Sequence, residues 1–316
     1  MSVPTLGLMF ASTAWNTATD IRSAIEICEA SGVESVWAVE HVVTPATLES
    51  KYPYNDTGEM PGLNDVVLCD PMVWLSYAAA ISTHLKLGTG ILILPQRHPA
   101  YVAKEWSTLD RLSGGRAILG IGVGWLKEEM EAVDVSFSTR GARTDESIDA
   151  IRSLWTDWPS TVHGSHFNWD DVVANPQPPT SRSIPIVVGG HSAAAARRAA
   201  RRGDGYFFPG DLSSTIRSEG ETQALKEMLD VMRRECELIG RDPSEIEITV
   251  GASGGTQESI EQLAAMGVDR IVIGAPVLDK LERRLSNFDW LLNPSSTSMP
   301  STGIIQQAER PPHQQV

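Results

Sequence analysis

Short apolar runs alternate with helical periodicity along almost the whole chain, and this alternation restricts the fold more than any other feature. Thr5–Phe10, Ser35–Val39, Leu87–Leu94, Ala117–Gly122, Ile184–Val188, Tyr206–Phe208, Ile246–Val250 and Arg270–Ile273 read as strands. Between them lie segments with apolar residues at three- and four-residue spacing: Asp20–Ser31, Ala100–Leu112, Asp145–Trp155, Ser192–Arg202, Thr222–Ile239, Glu258–Met266 and Val277–Leu292. Asp70-Pro71 marks a further helix start, an N-cap followed by proline at the first helical position. Runs such as Ile91-Leu92-Ile93-Leu94 and Ile186-Val187-Val188 suit parallel strands buried on both faces. Strand–helix alternation implies a parallel sheet, and eight repeats imply one that closes. The fold class expected is α/β, a (β/α)8 TIM barrel over residues 1–292, with an open doubly wound sheet as the alternative. Insertions are expected at 41–69 and 157–183, where lids and substrate walls are built, and the Ser-, Gln- and Pro-rich tail 293–316 is expected to be disordered.

Charge narrows the ligands. Lys plus Arg number 26 against 40 Asp plus Glu, a net −14, and such a surface repels nucleic-acid backbones and anionic membranes. A small molecule is the expected ligand. Cys28, Cys69 and Cys236 are widely spaced and odd in number, which suits neither a disulfide framework nor a zinc ribbon. Met1-Ser2-Val3-Pro4 lacks a basic region and a long apolar run, so a cytoplasmic location is expected.

Four constellations could carry chemistry. Glu40-His41 directly follows the second strand, where a barrel places its reactive groups and where an imidazole can hold or release a proton. A solvated Glu-His pair at a loop entrance is the alternative. Gly88-Thr89-Gly90-Ile91 puts glycines inside a strand, which suits a close approach to the backbone, such as that of a flat cofactor ring. Gly120-Ile121-Gly122-Val123-Gly124-Trp125 lacks the third glycine of a dinucleotide fingerprint and follows the fourth strand rather than the first, so that reading is set aside. Gly189-Gly190-His191-Ser192 leads from a strand into a helix start, where free amides and the helix dipole favour an anion such as phosphate. His163-x-x-His166 has no evident third ligand and reads as a hairpin, so no metal is expected. Arg140, Arg143, Asp145 and Glu146 read as a charge network at a helix entry.

Taken in order, Ser35–His41, Gly88–Pro99 with Arg97-His98-Pro99, Leu112–Trp125, Arg140–Glu146, Pro185–Ser192 and Gly203-Asp204-Gly205 resemble the bacterial luciferase-like family, and within it the coenzyme F420 (deazaflavin) oxidoreductases. The resemblance implies a (β/α)8 barrel, often a homodimer, that transfers hydride between F420 and a small organic substrate. FMN is the alternative cofactor, giving a monooxygenase. A non-catalytic cofactor-binding subunit is the alternative of another class, and a metal-dependent hydrolase is a third.

Carried over by residue, Glu40 and His41 are expected to be catalytic and to meet the cofactor, with Glu40 one methylene longer than the family's usual Asp. Gly90-Ile91 would be a cis peptide backing the ring. Gly122, Val123 and Gly124 would flank the ring or tail, and Gly189, Gly190, His191 and Ser192 would hold the phosphate. Trp125 stands where sugar-phosphate dehydrogenases of the family have Glu, which weighs against a sugar-phosphate substrate. Trp15, Tyr52, Tyr54 and Trp125 could line an apolar pocket or simply pack on one another.

Overall fold

A computed structural model describes residues 3–53, 57–60, 62–179, 183–210, 219–252 and 256–293. The expected tail beyond Asn293 and Tyr54 lie outside the described residues. The strands are β1 (Thr5–Met9), β2 (Ser35–Ala38), β3 (Lys86–Thr89), β4 (Leu92–Ile93), β5 (Ala117–Gly122), β6 (Ser160–His163), β7 (Asn168–Val172), β8 (Ile186–Gly189), β9 (Gly205–Phe208), β10 (Glu247–Gly251) and β11 (Arg270–Gly274). The helices are α1 (Ala11–Ala14), α2 (Ala18–Ser31), α3 (Pro71–Ile81), α4 (Pro99–Ser113), α5 (Lys127–Ala132), α6 (Arg140–Thr156), α7 (Ala193–Arg202), α8 (Glu219–Ile239), α9 (Gln257–Ala265), α10 (Leu281–Ser286) and α11 (Asp289–Leu292).

All pairings of the main sheet are parallel, in the order β3-β2-β1-β11-β10-β9-β8-β5-β4, and the β3–β5 pairing closes the ring. With β3 and β4 as two pieces of one strand, this is the expected eight-stranded barrel. The break has a register cause. Gly88 faces Ile118 and Leu92 faces Ile121, so four steps on one strand match three on its neighbour. One extra residue is accommodated at the cis Gly90–Ile91 bond. Inside the expected 157–183 insertion, β6 and β7 form an antiparallel hairpin, and the expected last helix divides into α10 and α11. Among the described residues no helix is long and apolar enough to cross a membrane.

The barrel interior is filled by one large residue set against small ones. Trp37 is fully buried and donates from Nε1 to Ser35 Oγ at 2.8 Å. A Cβ on Gly88 would come within 2.7 Å of its ring, and one on Gly7 within 2.9 Å of Nε1. The glycine at 88 therefore admits Trp37, not a cofactor ring as the sequence suggested. Met9, Val39, Ile118, Val187, Phe207 and Val272 pack around it.

The amino-terminal mouth is closed by charge. Arg270, 1% exposed, donates to both oxygens of Glu34 at 2.7 Å, to Glu247 and to Thr249, with its guanidinium 5.5 Å from the Trp37 ring centre. Burial raises the Glu34 carboxyl, but the Arg270 and Lys86 contacts outweigh it and lower the pKa to about 2. A cavity of about 360 Å³ beside this plug is lined by groups including Arg116, Asp204 and Glu247.

Candidate active site

At the opposite mouth, parallel closure brings the four sequence-predicted segments onto one rim, because each follows the carboxyl end of a strand. Several strands end there in glycine: Gly122, Gly189, Gly251 and Gly274. A Cβ on Gly274 would meet nothing within 4 Å, so this end is open where the amino-terminal mouth is plugged.

Ile91 organises the centre. Its side chain lies where a Cβ on Gly122 would sit 2.6 Å from Cδ1 and a Cβ on Gly189 2.6 Å from Cγ2. The glycines of β5 and β8 thus make room for Ile91, which bridges the cis segment, β5 and β8 in one surface. Gly124 has a φ of +76°, and a Cβ there would strike Met130 and Ile93 at 2.5 and 2.7 Å. Two requirements, left-handed backbone and close packing, converge on that glycine. Val123 is half-buried between these glycines.

Glu40 and His41 adjoin in sequence but face different partners. The Glu40 carboxylate is buried. Its Oε1 accepts from Arg97 Nε at 2.9 Å and Nη2 at 2.6 Å, and its Oε2 accepts from the Ile93 N–H at 2.7 Å. Burial pushes its pKa up, against the opposing pull of Arg97 and the Ile93 amide. Glu40 therefore ties the end of β2 to β4 and to the Arg97-His98-Pro99 turn. His98 caps α4 by accepting from the Ala100 N–H.

His41 turns toward α5. Its Nδ1 lies 2.7 Å from Glu129 Oε2, while Glu129 Oε1 accepts from the Val42 N–H at 2.6 Å. The Glu129 side chain is fully buried, and that of His41 is 9% exposed. Trp125 meets the imidazole edge-on with ring centres 6.0 Å apart, and Tyr52 meets Trp125 in the same way at 5.3 Å. Trp15 is not part of this aromatic group; it is fully buried in the main core and donates to the Pro276 carbonyl.

Glu128, next to Glu129, clamps the same loop farther on. It accepts from the Glu49 and Ser50 amides and from the Ser50 hydroxyl. Desolvation raises its pKa, but these hydrogen bonds together outweigh it and hold it at about 2. A depressed carboxyl supports the loop above its ordinary pKa and loses that support as pH falls through the folded value. Amide exchange at Ser50 is therefore expected to stay slow at neutral pH and to accelerate as pH drops from about 4.5 toward 2, after correction for intrinsic exchange. Unchanged protection across that window would show that the clamp is not ionic.

Gly190 has a φ of +141°, donates to the Phe207 carbonyl and accepts from the Tyr206 hydroxyl. Ser192 caps α7 by accepting from the Ala195 N–H, and His191 is exposed beside it. The N–H groups of Ala193 and Ala194 precede any in-helix acceptor, and among the described residues they donate to none. The helix start leaves these two amides at the rim, on the positive end of the helix dipole.

In the sequence-predicted charge network at the entry of α6, Arg143 feels the Glu146 charge, but the hydrogen bonds of the four residues go elsewhere. Arg198 pairs with Asp145, Glu146 accepts the Ser165, His166 and Phe167 amides of the hairpin, and Arg143 and Arg140 donate to the Pro95 and Phe137 carbonyls. His163 pairs with Asp170 across the hairpin. Glu128 and Glu129 were not legible as functional: α5 is six residues long, too short for a periodic signal, and their partners lie more than 70 positions away.

A sequence profile of luciferase-like monooxygenases matches residues 5–289. The F420-dependent glucose-6-phosphate dehydrogenase of Kineococcus radiotolerans is 30% identical over 226 residues, which cover 70% of this chain and 59% of that protein. The coenzyme F420-dependent tetrahydromethanopterin reductase of Methanopyrus kandleri superposes with a TM-score of 0.68 at 17% identity, covering 93% of this chain and 99% of that one. The oxygenating constituent of 3,6-diketocamphane monooxygenase of Pseudomonas putida, solved with FMN, superposes at 0.57 with 20% identity, covering 79% and 67%. The two structural likenesses concern the fold.

Proposed function

The chain belongs to the luciferase-like monooxygenase family, and on that premise we propose that it is an oxidoreductase transferring hydride between coenzyme F420 and a small organic substrate. The observation that carries the reading is the shared rim: an imidazole held through Nδ1 on one side, and on another a helix start whose first amides lack acceptors. The arrangement fits a phosphate-bearing planar cofactor. Ala193 and Ala194 would hold the phosphate with Ser192, and Ile91, seated on Gly122 and Gly189, would back the ring. When bound, the deazaflavin supplies a carbon that gives or takes hydride and does not activate dioxygen.

The chain's own residues do the rest. Glu40, through Arg97 and the Ile93 amide, keeps β2 and β4 in register so that His41 and Ile91 stay on one rim. His41 holds or moves the proton that accompanies hydride transfer, through its Nε2. Trp125 and Tyr52 give the site an aromatic wall beside His41, which suits an apolar or aromatic substrate better than a charged one.

FMN is the second reading, because a phosphate platform of this kind serves either cofactor and the Pseudomonas putida oxygenase of this fold was solved with FMN. Titrating the purified protein with each cofactor, read by tryptophan fluorescence, separates them. Saturable micromolar binding of F420, with FMN at least tenfold weaker, is expected. The reverse order would replace hydride transfer with flavin chemistry.

A further inference from the structure

We propose that Glu129 is a positioning residue that holds His41 in its Nδ1–H tautomer, leaving Nε2 as the atom that exchanges a proton with the substrate. The inference rests on the reading of His41 as the proton-carrying group. An ionised carboxylate only accepts, so the 2.7 Å contact between Glu129 Oε2 and Nδ1 requires the hydrogen to sit on Nδ1. The other carboxylate oxygen is committed to the Val42 N–H at 2.6 Å, so the group cannot rotate away. Burial of the Glu129 side chain keeps water from competing for either oxygen.

Nε2 makes no hydrogen bond among the described residues, and Trp125 stands edge-on to the imidazole. Among the described residues no other charged side chain hydrogen-bonds or ion-pairs with the imidazole. From β2 and its following loop, the Glu40 carboxylate is turned to Arg97 and Ile93. From α5, Glu128 is turned to Ser50, and Lys127 pairs with Glu131. Neutral His41 therefore offers a lone pair at Nε2. After taking a proton it becomes an imidazolium whose charge lies against Glu129, and in the reverse direction it returns that proton from the same atom.

Glu129→Gln tests this with little change of shape. The side-chain amide has one acceptor, which the Val42 N–H claims, and its NH2 then faces Nδ1. Nδ1 must become an acceptor, so the hydrogen moves to Nε2 and the tautomer inverts. The full chain labelled with 15N-histidine, without cofactor, reads this by NMR, with the His41 signal assigned from its loss in His41→Gln. The wild-type chain is expected to show Nδ1–H and Glu129→Gln to show Nε2–H. With F420 and a turned-over substrate, kcat of Glu129→Gln is expected to fall by roughly 10²–10⁴-fold at little-changed cofactor affinity, with a shifted pH profile. Glu129→Asp should regain part of the loss.

A neutral wild-type imidazole with its hydrogen on Nε2 and none on Nδ1 overturns the inference, and that measurement does not depend on any variant folding. So does the same tautomer in both proteins. A tautomer that inverts without any change in turnover leaves the positioning by Glu129 standing and removes His41 from the chemistry, so the functional reading fails instead.

Discussion

His41→Ala is expected to lower kcat of the F420-linked reaction by about 10²–10⁴-fold, the usual worth of a positioned acid–base group, while cofactor affinity changes little. The separation of effects follows from where the two tasks lie. Proton exchange is assigned to one imidazole nitrogen after β2, whereas binding is assigned to amides at the start of α7 and to the surface made by Ile91. Removing the ring also leaves Glu129 with one oxygen unpaired in a buried place, so some loss of stability is expected as well. Comparing kcat with cofactor Kd in the same preparation distinguishes the two losses. Turnover within threefold of wild type would remove His41 from the chemistry.

Arg270→Met is expected to destabilise the barrel by about 3–5 kcal/mol, the cost of stranding buried partners when one member of an ion pair is removed. Arg270 is 1% exposed, and its donors serve Glu34, Glu247 and Thr249. Methionine can fill part of the volume beneath Trp37 but leaves Glu247 without its cation and Glu34 with Lys86 alone. Urea unfolding should show a lower midpoint at unchanged slope, because the same surface is exposed on unfolding. A loss under about 1 kcal/mol would mean that the plug behaves as a solvated surface network. The pH dependence has a definite sign. Glu34 sits at about 2 in the folded chain against an ordinary 4.5, so its contribution is complete above about 4.5 and is lost as pH falls toward 2. In Arg270→Met this part of the acid sensitivity should shrink to what the Lys86 pair sustains.

The strand positions were legible because buried parallel strands need unbroken apolar runs, and Ala117–Gly122 agrees with the structure to the residue. The third strand was legible only as one piece. Its division into β3 and β4 depends on a register mismatch with β5, which exists only once the two strands are paired. Glycine was legible as a signal of close approach, but not what approaches. At Gly88 it is Trp37, and at Gly122 and Gly189 it is Ile91. Glu40 and His41 read as one unit from their adjacency, yet successive residues at a strand end point in opposite directions, and the structure divides them between Arg97 and Glu129.

By itself, then, the amino-acid order determined the barrel and the rim on which its reactive segments gather, since hydrophobic periodicity and strand polarity are local properties that add up along the chain. Which side chain answers which was decided only by folding. Glu129 reaches His41 across 88 positions, and Arg270 reaches Glu34 across 236. Hydrogen bonds and ion pairs act over a few ångströms of space whatever the separation in sequence, so partners of this kind leave no periodic trace.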